Sequence, residues 1–212
     1  METRQSSIWQ SDFGREYTDR NTLSAEEVNQ TGLRRYGKRR DELIKDWLQP
    51  VEKDARFLEI GSNIGLMLRA LQGAGFTSLS GIEMQRYCVE KSKSTVSGVD
   101  IIQATAYDIP FKDKFFDVVF TNNVLIHIPP DKLPSVFDEM YRVSKKYIWG
   151  FEYFAPQVTE IPYRGQRDLL WKADYGRMFC ERFPDLKVVR EQVFDCLDEP
   201  GNQDKQYLLM KS

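Results

Sequence analysis

Residues Arg56 to Leu71 constrain the fold more than any other stretch of the chain. An apolar strand (Phe57, Leu58, Ile60) runs through a turn holding Gly61 and Gly65 into an amphipathic helix (Leu66, Leu68, Leu71). Glycine in such a turn permits positive φ and lets a ligand approach with no Cβ in the way. The helix aims its free N–H groups and positive dipole end into the same space. Strand, turn and helix together make a site for a ligand carrying a carboxylate or phosphate.

Three details narrow the ligand. Glu59 ends the strand just before the glycine, and a carboxylate there repels a pyrophosphate but suits an ammonium group. The run Gly61-Ser-Asn63-Ile-Gly65 lacks the GxGxxG spacing of dinucleotide binders. Glu83, 24 residues after Glu59, ends the next apolar strand, where a carboxylate takes both hydroxyls of a ribose. Met84 follows it and is placed with the same ligand. An amino-acid end at the first turn and a ribose at the second strand describe S-adenosylmethionine (SAM). These features resemble the class I SAM-dependent methyltransferases.

The rest of the chain alternates. Strands at 55–60, 77–82, 100–104, 115–121 and 146–151 are interleaved with helices at 63–72, 84–95 and 131–143. This βαβα rhythm predicts a parallel α/β sheet with helices on both faces and ligands beyond the strands' carboxyl ends. After Glu152 the rhythm stops. Residues 153–165 read as a loop, and 166–183 as a helix burying Leu169, Leu170, Ala173, Met178 and Phe179. Residues 186–195 and 206–211 read as a hairpin, turned at Asp198 to Asn202. A terminal hairpin after five parallel strands resembles the ending of the class I methyltransferase fold, which dehydrogenase Rossmann domains lack. The resemblance implies a Rossmann-like sheet of seven strands in the order 3-2-1-4-5-7-6, the last antiparallel. Before the sheet, Ser24-Ala-Glu-Glu27 forms a capping box. Gly32 is expected to interrupt the helix it starts, and a second helix runs to Gln49, stopped by Pro50. Residues 1–50 are read as an N-terminal helical arm, and 51–212 as the methyltransferase domain.

The arm carries Trp9, Phe13, Tyr17, Arg20 and Asn21. The last three fall on one side of a helical turn. They either pack the arm on the domain or close it over the cofactor, the Arg20 fork being suited to a carboxylate. The cluster Arg34, Arg35, Lys38, Arg39 and Arg40 is a solvated helix face or an anion patch. Thr105, Ala106 and Tyr107 occupy the loop that reads adenine in the methyltransferase pattern. An acidic residue is usual where Thr105 stands, and a hydroxyl accepts from an amine more weakly than a carboxylate does. Asn122 and Asn123 end the fourth strand, where the sulfonium and methyl are expected. His127, the only histidine, is either packed beside Leu125, Ile126 and Ile128 or is a base for an acceptor hydroxyl. Acceptor contacts are expected from Glu152, Tyr153, Tyr163 and Arg164, unless Glu152 and Arg164 simply pair.

Several segments together resemble a narrower family, the methylases associated with pseudaminic acid biosynthesis. They are Phe13-Gly14 with Tyr17 and Arg20-Asn21; Glu59 to Gly65; Val124 to Asp131 with Leu133-Pro134; Glu152-Tyr153 with Pro156; and Tyr163 to Gly165. Ala155 departs from the pattern, which has a polar residue before the proline. The resemblance implies transfer of methyl from SAM to a hydroxyl or amine of a sugar, nucleotide-sugar or nonulosonic-acid compound, leaving S-adenosylhomocysteine. The rivals are a methyltransferase for a carboxylate or amine of another metabolite, and a SAM-binding module without turnover. Apolar residues at 41% and charged residues at 29% make the chain globular. A net charge of -2 argues against nucleic acid as a partner. Cys88, Cys180 and Cys196 form no CxxC, which suits a reducing cytosol and suggests no metal site. No apolar run approaches the ~20 residues that span a bilayer. The expectation is a cytoplasmic enzyme of small molecules.

Overall fold

The computed structural model describes residues 3–212. Four helices lead the chain: α1 (Arg4–Trp9), α2 (Asp12–Arg20), α3 (Ala25–Tyr36) and α4 (Arg40–Trp47). The capping box forms, with the Ser24 hydroxyl accepting from Glu27 N–H and the Glu27 carboxylate accepting from Ser24 N–H. The helix does not break at Gly32. That glycine stays inside α3, where a Cβ would stand 2.9 Å from the Lys38 carbonyl oxygen and the Arg40 amide nitrogen. It serves the tight corner between α3 and α4. The break falls at Gly37, whose φ of 68° makes a left-handed cap.

The sheet then builds in order: β1 (Arg56–Ile60), α5 (Leu66–Gly73), β2 (Ser78–Glu83), α6 (Arg86–Thr95), β3 (Asp100–Gln103), β4 (Phe116–Asn122), α7 (Leu133–Val143) and β5 (Ser144–Tyr153). These five strands pair in parallel. A short ribbon, β6 (Thr159–Glu160) with β7 (Trp171–Lys172), precedes α8 (Tyr175–Arg182). The hairpin β8 (Leu186–Asp195) and β9 (Gln203–Lys211) closes the chain, β9 antiparallel to β5. The sheet order is β3-β2-β1-β4-β5-β9-β8. With the ribbon set aside, this is the expected 3-2-1-4-5-7-6.

Alternate residues of each strand feed two cores. Leu58, Val119 and Ile148 pack with Val136, Phe137, Met140 and Phe179 on one face. Phe57, Val118, Phe120 and Trp149 pack with Leu43, Trp47, Leu68 and Leu71 on the other. Each large side chain fully buried there contributes about 1.5–3 kcal/mol. Both faces of the sheet are thus closed, and its free polar rim is the row of strand carboxyl ends.

The helix expected over 166–183 is shorter. It starts at Asp174, which caps it by accepting from Arg177 N–H. Left-handed backbone at Arg164 (φ 51°), Gly165 (75°) and Asp168 (61°) breaks the helical period upstream. Leu169, Leu170 and Ala173 are buried as expected, but outside any helix. Among the described residues no helix is long and apolar enough to cross a membrane.

Candidate active site

The carboxyl ends of β1, β2 and β4 open into one cleft, with α1 and α2 lying across it. It holds about 1250 Å³ of space, counting its open mouth. Glu59, Gly61, Asn63, Glu83, Met84 and Asn122 line its floor.

The turn after β1 is built from left-handed residues: Gly61 (φ 67°), Asn63 (49°) and Gly65 (83°). A Cβ on Gly61 would stand 2.8 Å from the Val124 side chain, and one on Gly65 would stand 2.7 Å from that of Val96. Asn63 tolerates its conformation because its own amide oxygen accepts from Ile64 N–H at 2.8 Å. Its amide nitrogen donates to the Thr18 hydroxyl at 3.0 Å, tying the turn to α2.

Two buried carboxylates face this turn. Glu83 accepts from the backbone N–H groups of Asn63 (2.9 Å) and Gln85 (2.8 Å). Burial raises its pKa, and those N–H donors oppose the rise. The Met84 N–H also holds it, and with about four lone-pair sites the carboxylate keeps capacity beyond these backbone donors. Glu59 is 4% exposed, and its Oε2 is buried without a partner. Burial, then repulsion from Glu83, pushes its pKa well up; the Leu68 N–H at the start of α5 pulls the other way. Asn122 Oδ1 is a second buried acceptor with no partner. A cleft floored by acceptors that lack donors fits a ligand rich in them: an ammonium, ribose hydroxyls and an exocyclic amine. SAM carries all three.

Thr105, Ala106 and Tyr107 line the side of the cleft below β3, and Asn123 and His127 line it beyond β4. His127 sits in a short 3-10 turn, Leu125–His127. Its Nδ1 lies 2.8 Å from the Leu169 carbonyl. A carbonyl only accepts, so Nδ1 carries the hydrogen and Nε2 is left with its lone pair. Burial lowers its pKa to about 4, so the ring is neutral and a weaker base than a free imidazole.

From the arm, Tyr17 lines the cleft and Arg20 does not; Arg20 lies 3.7 Å from Glu16 on its own helix. The two first helices are fastened at several points. Gln5 donates to Asp168, Gln85 donates to the Trp9 carbonyl at 3.0 Å, and Tyr87 and Lys91 both meet Asp19 at 2.6 Å. Arg35 and Arg39 are drawn into ion pairs with Asp204 and Glu26, and Arg40 is buried over the rings of Tyr36 and Phe151.

Glu152 does not reach the cleft. It is 1% exposed, and its Oε1 accepts from Val124 N–H at 3.2 Å. The N–H groups of Leu125 and Ile126 also hold it, so this carboxylate anchors the turn that carries His127. It forms no ion pair with Arg164, which is exposed. Tyr153 lies outside the cleft against Arg35. Tyr163 stands at the mouth, 5.5 Å from the His127 ring. Burial pushes the Glu152 pKa up to about 7 from an ordinary 4.5. The folded state therefore binds more protons than the unfolded chain between those values, and stability falls as pH rises through that window. The loss amounts to about 3 kcal/mol by pH 8. Glu59 and Glu83 add slope of the same sign, so Glu152→Gln should flatten the decline of the urea midpoint between pH 5 and 8 relative to the parent. An unchanged slope would mean the carboxyl ionises as easily as in solvent.

Sequence reasoning passed over Trp9, Ser62 and Gln85 as cleft residues. Gln85 had a signal, since it follows Glu83, the residue expected to meet a ribose, by two positions. Trp9 had only its place in an aromatic-studded polar arm.

Residues 58–147 match the family described as methyltransferase domain. A 24-methylenesterol C-methyltransferase 2 of Oryza sativa subsp. japonica is 26% identical over 172 residues, covering 75% of this chain and 46% of that protein. The chain spans about half or less of the length of the first curated relatives it matches. The magnesium protoporphyrin IX methyltransferase of Synechocystis PCC 6803, solved with bound SAM, superposes with a TM-score of 0.72 at 12% identity, covering 100% of this chain and 99% of that one. A Burkholderia thailandensis 1,6-didemethyltoxoflavin-N1-methyltransferase, solved with its acceptor and S-adenosylhomocysteine, gives 0.69 at 12% identity, covering 98% and 88%. The glycine turn between two acidic strand ends and the antiparallel closing strand thus sit in a fold shared with these methyltransferases, and the stretch 58–147 is similar to a methyltransferase domain.

Proposed function

We propose that the protein transfers the methyl group of SAM to a nucleophilic oxygen or nitrogen of a small molecule, releasing S-adenosylhomocysteine. The observation that carries this reading is the pair of buried carboxylates at adjacent strand ends, one with an unpaired oxygen and one seated on the glycine turn. SAM supplies a methyl already activated on a cationic sulfur. The chain's own work is to hold, orient and exclude water. Glu59 and Asn122 take the amino-acid end. Glu83 takes the ribose hydroxyls, Thr105 and Ala106 meet the adenine edge, and Met84 and Tyr107 lie beside it. Gly61 keeps the backbone clear, and the arm with Tyr17 covers the cleft.

His127 Nε2 accepts the acceptor's proton as the new bond forms. With a pKa near 4 it stays in its basic form throughout the neutral range. Its low basicity places its contribution at the small end for a general base, ~10²-fold. His127→Ala should lower turnover by about that factor with SAM affinity unchanged, and the parent should show no rate limb from this histidine between pH 6 and 9. Near-normal turnover in a folded variant would return His127 to a packing role.

Both solved neighbours are named for small-molecule acceptors, a porphyrin and a toxoflavin precursor. The resemblance to pseudaminic-acid-associated methylases favours a sugar-derived acceptor here. The three cysteines are thiols, which suits a reducing cytosol. Calorimetry with SAM, S-adenosylhomocysteine and NAD tests the cofactor; SAM and its product should bind and NAD should not. Binding of NAD alone would overturn the reading. Methyl uptake from labelled SAM across nucleotide-sugars, sugar acids and aromatic acids then tests the acceptor.

A further inference from the structure

Taking the cleft as a SAM site, we infer that its mouth receives an acceptor that carries a ring and at least one anionic group. Trp9, Phe13 and Tyr17 from the arm meet His127 and Tyr163 in one aromatic wall. Trp9 lies 4.5 Å from His127, 5.4 Å from Phe13 and 5.3 Å from Tyr17, and Tyr163 lies 5.5 Å from His127 and 6.1 Å from Phe13. Trp9, Tyr17 and His127 also line the cleft, so the wall continues from the cofactor site outward. Rings of this kind offer flat apolar surface for a sugar or aromatic ring to lie on.

Charge decides what else the acceptor carries. Arg164 holds its guanidinium 5.6 Å from the centre of the Phe13 ring and 5.5 Å from that of Tyr163. Among the described residues no carboxylate pairs with it. The Trp9 indole N–H is buried and meets no acceptor. The buried indole N–H thus lacks an oxygen to donate to, and the exposed guanidinium beside an apolar wall suits a carboxylate or phosphate. The left-handed backbone at Arg164 and Gly165 (φ 51° and 75°) turns the chain sharply next to Tyr163. A non-glycine residue in that conformation costs about 1–3 kcal/mol.

The test uses the full chain loaded with S-adenosylhomocysteine. Glucose 1-phosphate, N-acetylneuraminate and 4-hydroxybenzoate are titrated against glucose and the methyl esters of the two acids, with binding read by ligand-observed NMR. The acids should bind at least ~10-fold more tightly than their neutral counterparts, the charge-assisted contact being worth about 1.5–3 kcal/mol. Arg164→Gln should erase that preference, and Trp9→Phe should weaken it several-fold; Arg164→Gln should leave S-adenosylhomocysteine affinity as it was. The order among the three acids separates a sugar carboxylate, a sugar phosphate and an aromatic acid as the source of the charge. Equal binding of acids and neutral counterparts, no binding of any acid, or an acid preference that survives in Arg164→Gln overturns the inference. Failure of the parent to bind S-adenosylhomocysteine at all would instead overturn the methyltransferase reading beneath it.

Discussion

Glu83→Ala should cut SAM affinity by roughly 10²-fold or more. Each hydrogen bond from a ribose hydroxyl to a carboxylate is worth about 1.5–3 kcal/mol, and two are lost together. The substitution also strips acceptors from Asn63 N–H and Gln85 N–H, which hold the glycine turn and the start of α6 against β2. Those two donors would be left unpaired, at about 1–3 kcal/mol each. Part of that cost is offset, because burial already disfavours the Glu83 charge. A net stability loss of about 1–3 kcal/mol is expected. Calorimetry and urea unfolding on one preparation separate the two effects. Unchanged affinity in the folded variant would remove Glu83 from the site.

Gly61→Val should be more disruptive still. The position has φ of 67°, which costs a β-branched residue more than the 1–2 kcal/mol typical of other side chains, on the order of 3 kcal/mol. Its Cβ would also stand 2.8 Å from the Val124 side chain. Val124 opens the turn that presents His127, and its N–H is bound to buried Glu152. The strain therefore passes from the cofactor turn into the His127 turn. A melting-temperature drop of several degrees and loss of detectable SAM binding are expected, with Gly61→Ala intermediate. Wild-type affinity in Gly61→Val would show that the turn relaxes without loss and that no ligand approaches the backbone there.

The legible parts of this protein were local. The strand, glycine turn and helix at 56–73, the capping box at Ser24 and the alternation through β5 follow from periods and caps that lie within a dozen residues of each other. The floor of the cleft was legible for the same reason. Its residues end a strand or lie in the turn just after one, and parallel α/β sheets open their sites at strand carboxyl ends. Where local signals compete, the tertiary contacts decide. Gly32 reads as a helix breaker, but it is retained for close approach between two helices. The apolar spacing of Leu169, Leu170 and Ala173 imitates a helix, but left-handed residues upstream turn the segment into an extended one.

What the chain order could not convey was the destination of side chains across long separations. Glu152 ends a strand, so it should face the cleft with Glu59 and Glu83; instead it turns under the β4 exit and accepts from Val124, 28 residues away. His127 is neither plainly packed nor an ordinary imidazole, because Leu169, 42 residues on, takes its Nδ1 hydrogen and burial depresses its pKa. The arm lies across the cleft through contacts such as Gln5 with Asp168, 163 residues apart. Periodicity and turn chemistry act along the chain and so set the elements and their strand-end acids. Desolvation, hydrogen-bond pairing and ring packing depend on which segments meet in space, and they set which acids are buried, which ring nitrogen is free and which guanidinium lacks a carboxylate.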